Sequence, residues 1–250
     1  MAWRATPPTG FVRSSWAGTR VGRAAGPSAR CYAPAMTDSE YWSRYYAITG
    51  ERPAWGTVLR AIELFAAEEE AERLAGGGAG APAGPRLAVD LGCGGGRDAR
   101  ELLRAGWRVL AIDREQAAIA AVEAATPPEL RAALEGRIAD LADVAIPACD
   151  LVNASLSLPF LSSDAYWMTW ERILAALPVG GRVAALLFGD RDGSASDPSM
   201  TCPPPAEIRA RLGSFEVEHW VDREEDTTTA LGEPHYFHLV ELVARRTSPG

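Results

Sequence analysis

The sequence predicts an α/β fold, a doubly wound and largely parallel seven-stranded sheet that ends in an antiparallel hairpin. Three observations predict it. Short apolar runs alternate with helix-length amphipathic segments from residue 85 onward. A glycine cluster, Gly92 to Gly96, follows the first apolar run directly. The last two apolar runs are joined by a polar stretch, Asp226–Gly232, which carries no helical period.

The elements follow in order. Ser39 to Ile48 reads as a short helix carrying Tyr41, Trp42, Tyr45 and Tyr46. Thr57 is placed to cap a second helix, with Val58, Leu59, Ile62 and Phe65 on one face. Gly76 to Gly84 is a Gly/Ala/Pro linker. Leu87–Val89 forms the first strand, and the helix after the glycines runs through Leu102 and Leu103. Trp107–Ile112 is the second strand, followed by helical stretches at 114–124 and 128–135. Ile138 lies in a third strand and Leu151-Val152 in a fourth. Asp164 caps a helix reaching Leu177, and Pro178–Gly181 turns into the apolar fifth strand, Val183–Phe188, as expected at a sheet centre. A helix over Pro205–Leu212 precedes the strands Phe215–Val221 and Tyr236–Val243. Three regions result: an extension at 1–36, a helical lid and linker at 37–84, and the sheet domain at 85–246.

Composition limits the chemistry. All 25 basic residues of the 250-residue chain are arginines. Without lysine there is no Schiff-base enzyme, no lysine-bearing phosphate loop and no kinase lysine–glutamate pair. Residues 1–36 carry five arginines and no acid, whereas the remainder carries 20 arginines and 33 acids. An acidic body of this kind is expected to bind no nucleic acid. No apolar run reaches the roughly 18 residues of a membrane span, so no membrane partner is expected. Cys31, Cys93, Cys149 and Cys202 form no metal-ligand pattern with His219, His235 and His238. No metal is therefore expected, and reduced thiols suit a cytoplasmic setting. The first 36 residues fit three readings: translation from Met36, an organelle transit peptide, or a disordered arm. Organelle import follows only under the second. Oligomeric state is not readable from the sequence.

The chemistry centres on Val89-Asp90-Leu91-Gly92-Cys93-Gly94-Gly95-Gly96-Arg97-Asp98. Glycines there let the backbone turn sharply and approach a ligand closely. A dinucleotide fingerprint would need a third glycine at position 97, which is Arg97. The acid Asp90 beside the loop suits a cationic ligand better than a pyrophosphate. Asp113 closes the second strand 21 residues after Gly92, where an acid can accept ribose hydroxyls. Dehydrogenases share that spacing.

The pattern Asp90-x-Gly92-x-Gly94-x-Gly96 resembles motif I of the class I S-adenosylmethionine (SAM) methyltransferases, which implies a Rossmann-like sheet with SAM as cofactor. The resemblance, from about residue 39 to 246, implies cofactor contacts at Asp90, Gly92, Cys93 (through its backbone), Gly94, Gly96, Arg97, Asp113 and Arg114. It adds Asp140-Leu141 on the adenine side, then Asn153 and Ser155 at the fourth strand. Pro178-Val179-Gly180-Gly181 is similar to the family's turn before strand five, with a valine inserted. Within the class the chain resembles the tellurite-resistance (TehB-like) methyltransferases. Tyr41–Tyr46, Leu187–Asp192, Met200-Thr201 and Thr229–Glu233 carry this likeness. It implies methyl transfer to a small-molecule acceptor and leaves open whether O, N, S or a metalloid oxyanion is the acceptor atom. Trp42, Tyr45 and Tyr46 are expected to close over the sulfonium, where aromatic faces favour cations. Arg191, with Arg44 and Arg97, supplies charge near the pocket. His235 and Asp190 are the candidate general bases, should the acceptor need one. Two other readings stand beside this one: a nicotinamide-dependent oxidoreductase on a related sheet, and a non-catalytic SAM-binding regulator.

Overall fold

The computed structural model describes residues 39–76 and 84–249. The expectations for residues 1–36, and for most of the Gly76–Gly84 linker, lie outside the described residues.

Seven strands form one sheet in the order β3-β2-β1-β4-β5-β7-β6. They are β1 (Leu87–Leu91), β2 (Arg108–Asp113), β3 (Leu134–Ile138), β4 (Leu151–Ser155), β5 (Arg182–Phe188), β6 (Phe215–Thr228) and β7 (Pro234–Arg246). The first five are mutually parallel, and β7 runs antiparallel between β5 and β6. The helices are α1 (Ser39–Thr49), α2 (Gly56–Leu74), α3 (Arg97–Arg104), α4 (Gln116–Ala125), α5 (Ser163–Ala176) and α6 (Pro205–Ala210).

Strand side chains alternate between two cores, as a period of two requires. Val89, Leu110, Val152, Val183 and Leu242 point to the layer of α5 and α6, against Trp170, Ile173 and Ile208. Ala88, Val109, Leu151, Ala184 and Val243 point to α2, α3 and α4, against Phe65, Leu102 and Val122. Every residue of β5 is buried, as its apolar run predicts. Among the described residues no helix is long and apolar enough to cross a membrane.

Several boundaries differ from expectation. The segment expected to be helical at 128–135 is a 3-10 turn, Pro128–Ala133, because Leu134 already pairs with Val109 in the parallel ladder. The expected cap Thr57 lies inside α2, whose N-cap is Trp55, and the buried Thr57 hydroxyl has no hydrogen-bond partner. Asp164 sits in the first turn of α5 behind the N-cap Ser162. Both hairpin strands are longer than their apolar cores. Thr228 pairs with Pro234, so Asp226–Thr228 is strand rather than loop.

One arginine fastens these layers together. Arg182, in β5, donates to both Glu218 oxygens (2.7 and 2.9 Å) and to Glu68 of α2 (2.8 Å). Its side chain is 3% exposed, and its guanidinium lies 4.3 Å from the Phe65 ring centre. Arg182→Ala would take the cation from Glu218 and leave Glu68 with Arg245 alone. We expect a loss of about 3 kcal/mol, read as a lower midpoint in chemical denaturation; an unchanged midpoint refutes it.

Candidate functional site

The strand order reverses between β1 and β4, so a crevice opens at the carboxyl ends of the parallel strands. That crevice is a cleft floored by the glycine loop, walled by β-strand ends and roofed by α1.

The loop is held by the neighbouring strand. Gly92 and Cys93 both donate to the Ile112 carbonyl (2.8 and 3.0 Å), and Gly94 donates to Asp113 Oδ2 (3.0 Å). Two glycines are dictated by space as well as angle. Gly92 has φ +69°, and a Cβ there would stand 2.4 Å from Ser157 Cβ. At Gly94 (φ +51°) a Cβ would meet the Tyr46 ring at 3.1 Å, so the loop runs directly beneath the roof helix.

Four carboxylates stand around this floor. Asp90 is 2% exposed; its Oδ1 accepts from Asn153 Nδ2 at 2.7 Å, while its buried Oδ2 has no hydrogen-bond partner. Burial, reinforced by the neighbouring Asp98, pushes its carboxyl up to about 8. Asp98 accepts from the Trp55 backbone (2.9 Å) and from Asn153 Nδ2 (3.0 Å), and burial raises its carboxyl as well. Asp113 accepts from Gly94 and Glu115 backbone N–H groups, yet burial still raises it. Asp140 is exposed and caps its own turn through Ala142 (2.8 Å).

The roof is aromatic. Trp42 stacks on Tyr46 (5.9 Å between centroids, 26°) and meets Phe160 edge-on at 5.3 Å. Burial raises the hydroxyls of Tyr45 and Tyr46. Arg97 lies 4.2 Å over the Trp55 ring, with a buried Nε that has no hydrogen-bond partner. Arg100 anchors the roof to the floor by donating to Gly95 O (2.9 Å) and to Gly50 O.

Most residues expected from sequence meet in this cleft: Trp42, Tyr45, Tyr46, Asp90, Gly92, Cys93, Gly94, Arg97, Asp113, Arg114, Asp140, Leu141 and Ser155. Gly96 lies behind the loop as the N-cap of α3. Asn153 is fully buried beneath the floor and bridges two carboxylates. The candidate bases fall elsewhere. His235 is buried against Asp192 (Nε2 to Oδ1, 3.0 Å) and is not a lining residue. Asp190 is 40% exposed beside Arg191 and His238, and Arg191 spreads over Asp222 and Glu224 on the outer hairpin. The hairpin strands run past the end of β5 and carry these groups with them.

Sequence reasoning missed Asp98, Trp55, Ser157, Phe160 and Phe188 in the lining. Leu156 is another; it is the non-glycine with positive φ (54°) among the described residues. Asp98 could have been suspected, since an acid in the first turn of a buried helix needs a donor.

The profile of a family described as "Methyltransferase domain" matches residues 88–181. The fold matches TehB from Haemophilus influenzae with a TM-score of 0.58 at 18% identity, over 84% of this chain and 67% of that one. This is the class I methyltransferase fold. The matched residues include the glycine loop, Asp90, Asp113 and the turn before β5. The cofactor of such a domain is S-adenosylmethionine. A second similar structure is a complex between the Haloferax volcanii Trm112 methyltransferase activator and a putative methyltransferase (TM-score 0.58, 17% identity, 84% of this chain and 98% of that one). A third is a SAM-dependent methyltransferase from Methanosarcina mazei (TM-score 0.50, 18% identity, 66% and 94%). No curated protein matches the chain.

Gly92→Ala should test the floor. The added methyl overlaps Ser157 in a left-handed backbone, which is expected to cost about 2 kcal/mol. Denaturant titration would show it, and a variant as stable as the parent would contradict the geometry.

Proposed function

We propose that this methyltransferase transfers the SAM methyl group to a small acceptor held between the glycine floor and the aromatic roof. The observation that carries the reading is the convergence of Asp90, Asp113, the glycine loop and the aromatic helix α1 on one cleft. The residues fit the cofactor. The unpartnered Asp90 Oδ2 suits its ammonium, and the close approaches of Gly92 to Ser157 and of Gly94 to the Tyr46 ring would be blocked if a side chain were added.

Bound SAM supplies a methyl group already activated on a sulfonium, so the protein contributes alignment and a dry pocket. Asp113, fixed by two backbone N–H groups, would accept the ribose hydroxyls. Asp140 and Leu141 flank the place for adenine, and Arg97 and Arg114 are the lining cations, Arg97 the one offered to a carboxylate. Trp42, Tyr45 and Tyr46 offer aromatic faces to a positive centre. The histidine proposed as a base from sequence lies outside the cleft, and burial leaves the lining tyrosines weaker acids than usual. An acceptor that arrives as a nucleophile, a thiolate or a metalloid or chalcogen oxyanion, is therefore favoured over one that must lose a proton in the site. A nicotinamide enzyme is disfavoured by Arg97 at the third fingerprint position and by the acids beside the loop.

Calorimetry should detect SAM binding and no NAD binding. Asp113→Ala should weaken SAM by about tenfold to a hundredfold, the loss of charge-assisted bonds to the ribose. NAD binding without SAM binding refutes the reading. With methyl-labelled SAM and cell extract, the label should appear in small molecules; a labelled macromolecule refutes the small acceptor.

A further inference from the structure

Asp90 and Asp98 come from different elements, the end of β1 and the first turn of α3, and meet on one amide. Asn153 Nδ2 reaches Asp90 Oδ1 at 2.7 Å and Asp98 Oδ2 at 3.0 Å. Asp98 also accepts the Trp55 N–H at 2.9 Å. Asp90 Oδ2 is buried and has no hydrogen-bond partner. The charged and titratable groups around the pair are few. Asp113 faces Asp90 from β2, and Cys93 faces it from the loop. Arg97 faces Asp98, Tyr45 of α1 faces Arg97, and Tyr46 faces Asp113. The nearest cation thus serves Asp98 while lying over the Trp55 ring. Two carboxylates sharing one dry site cannot both ionise cheaply, and one keeps a proton. The donors decide which. Asp98 takes N–H groups on both oxygens and faces Arg97 as well. Asp90 shares the Asn153 amide and faces the Ala99 backbone N–H, but its Oδ2 has no hydrogen-bond partner, so the proton falls there. The upward shift of Asp90 to about 8 agrees.

We propose that Asp90 is protonated in the ligand-free protein and that docking of the ammonium end of SAM expels this proton, with Asp98 as the positioning residue that keeps it there beforehand. The Asp90 O–H bond breaks, the proton passes to solvent, and the carboxylate left behind pairs with the ammonium. This deepens the functional reading above and rests on it. The sign follows from linkage. The complex holds fewer protons than its free components, so affinity rises with pH, by up to about tenfold per pH unit, until the ligand's ammonium begins to lose its own proton at about pH 7.7–8.0.

The test is calorimetric titration of the full chain with SAM near pH 6.5, where an α-amino group is still charged, in phosphate and in Tris. The two buffers differ in ionisation enthalpy, so the difference in heat counts protons. About one proton should be released per SAM bound, and none in Asp90→Asn. Asp98→Asn should still bind SAM but release measurably less than the parent, because losing the neighbouring charge lowers the Asp90 carboxyl while its burial remains; a merely structural role for Asp98 would leave the count unchanged. Infrared difference spectra of the unmodified protein guard against a misfolded variant: a carboxylic-acid C=O band should vanish on SAM binding. SAM binding with no proton released, or with no loss of that band, overturns this inference alone. Absence of SAM binding overturns the functional reading and this inference with it.

Discussion

A single buried amide organises the cleft end of the molecule. Asn153 stands beside Asp90 in the β1–β4 ladder, at the place where the strand order reverses. Its Nδ2 joins β1 to the first turn of α3, and its Oδ1 accepts from Ser155. Asp98, held by that amide, in turn holds the Trp55 backbone at the start of α2. Floor, wall and the root of the roof are therefore linked through one side chain with no water contact. In such a dry site unpaired carboxylates are costly. The bridge ties together the two residues that flank the glycine loop, Asp90 before it and Asp98 after it.

The opposite end of the cleft is built on a different principle. The β6–β7 hairpin outruns β5, whose last residue pairs with Leu239. The overhang would leave polar backbone and side chains uncovered. The 189–194 segment covers it: His238, fully buried, accepts the Arg191 N–H at Nδ1 (3.0 Å), and Asp192 accepts the His238 N–H (3.0 Å) and pairs with His235. The two histidines thus clamp a loop onto a hairpin, and Gly189 is required there because His238 ring atoms would lie 2.3 Å from any Cβ. Phe188 and Phe237, next to His235, carry this packing toward the cleft wall.

Much of this was legible in advance, and what was legible shares a physical cause. Apolar periodicity marked the strands because alternate residues face two cores, and β5 read as wholly apolar because both its faces are covered. Asp90, the glycines and Asp113 could be grouped in advance because a tight loop between two adjacent parallel strands fixes short-range spacing along β1 and β2. The errors were also local in origin. The 128–135 segment carries helix-forming residues, but a parallel partner captures Leu134. Polar Asp226–Thr228 joins a strand because its ladder bonds need no buried side chain.

The sequence by itself determined the element order, the class of fold and the residues of the glycine loop, since these depend on neighbours within a few positions. Only the tertiary structure decided which distant groups share a site. It placed Asp98 against Asp90 through Asn153, brought Phe160 under Trp42, and took His235 away from the cleft. Such pairings join residues tens of positions apart, and a one-dimensional pattern does not encode which buried donor will meet which buried acid.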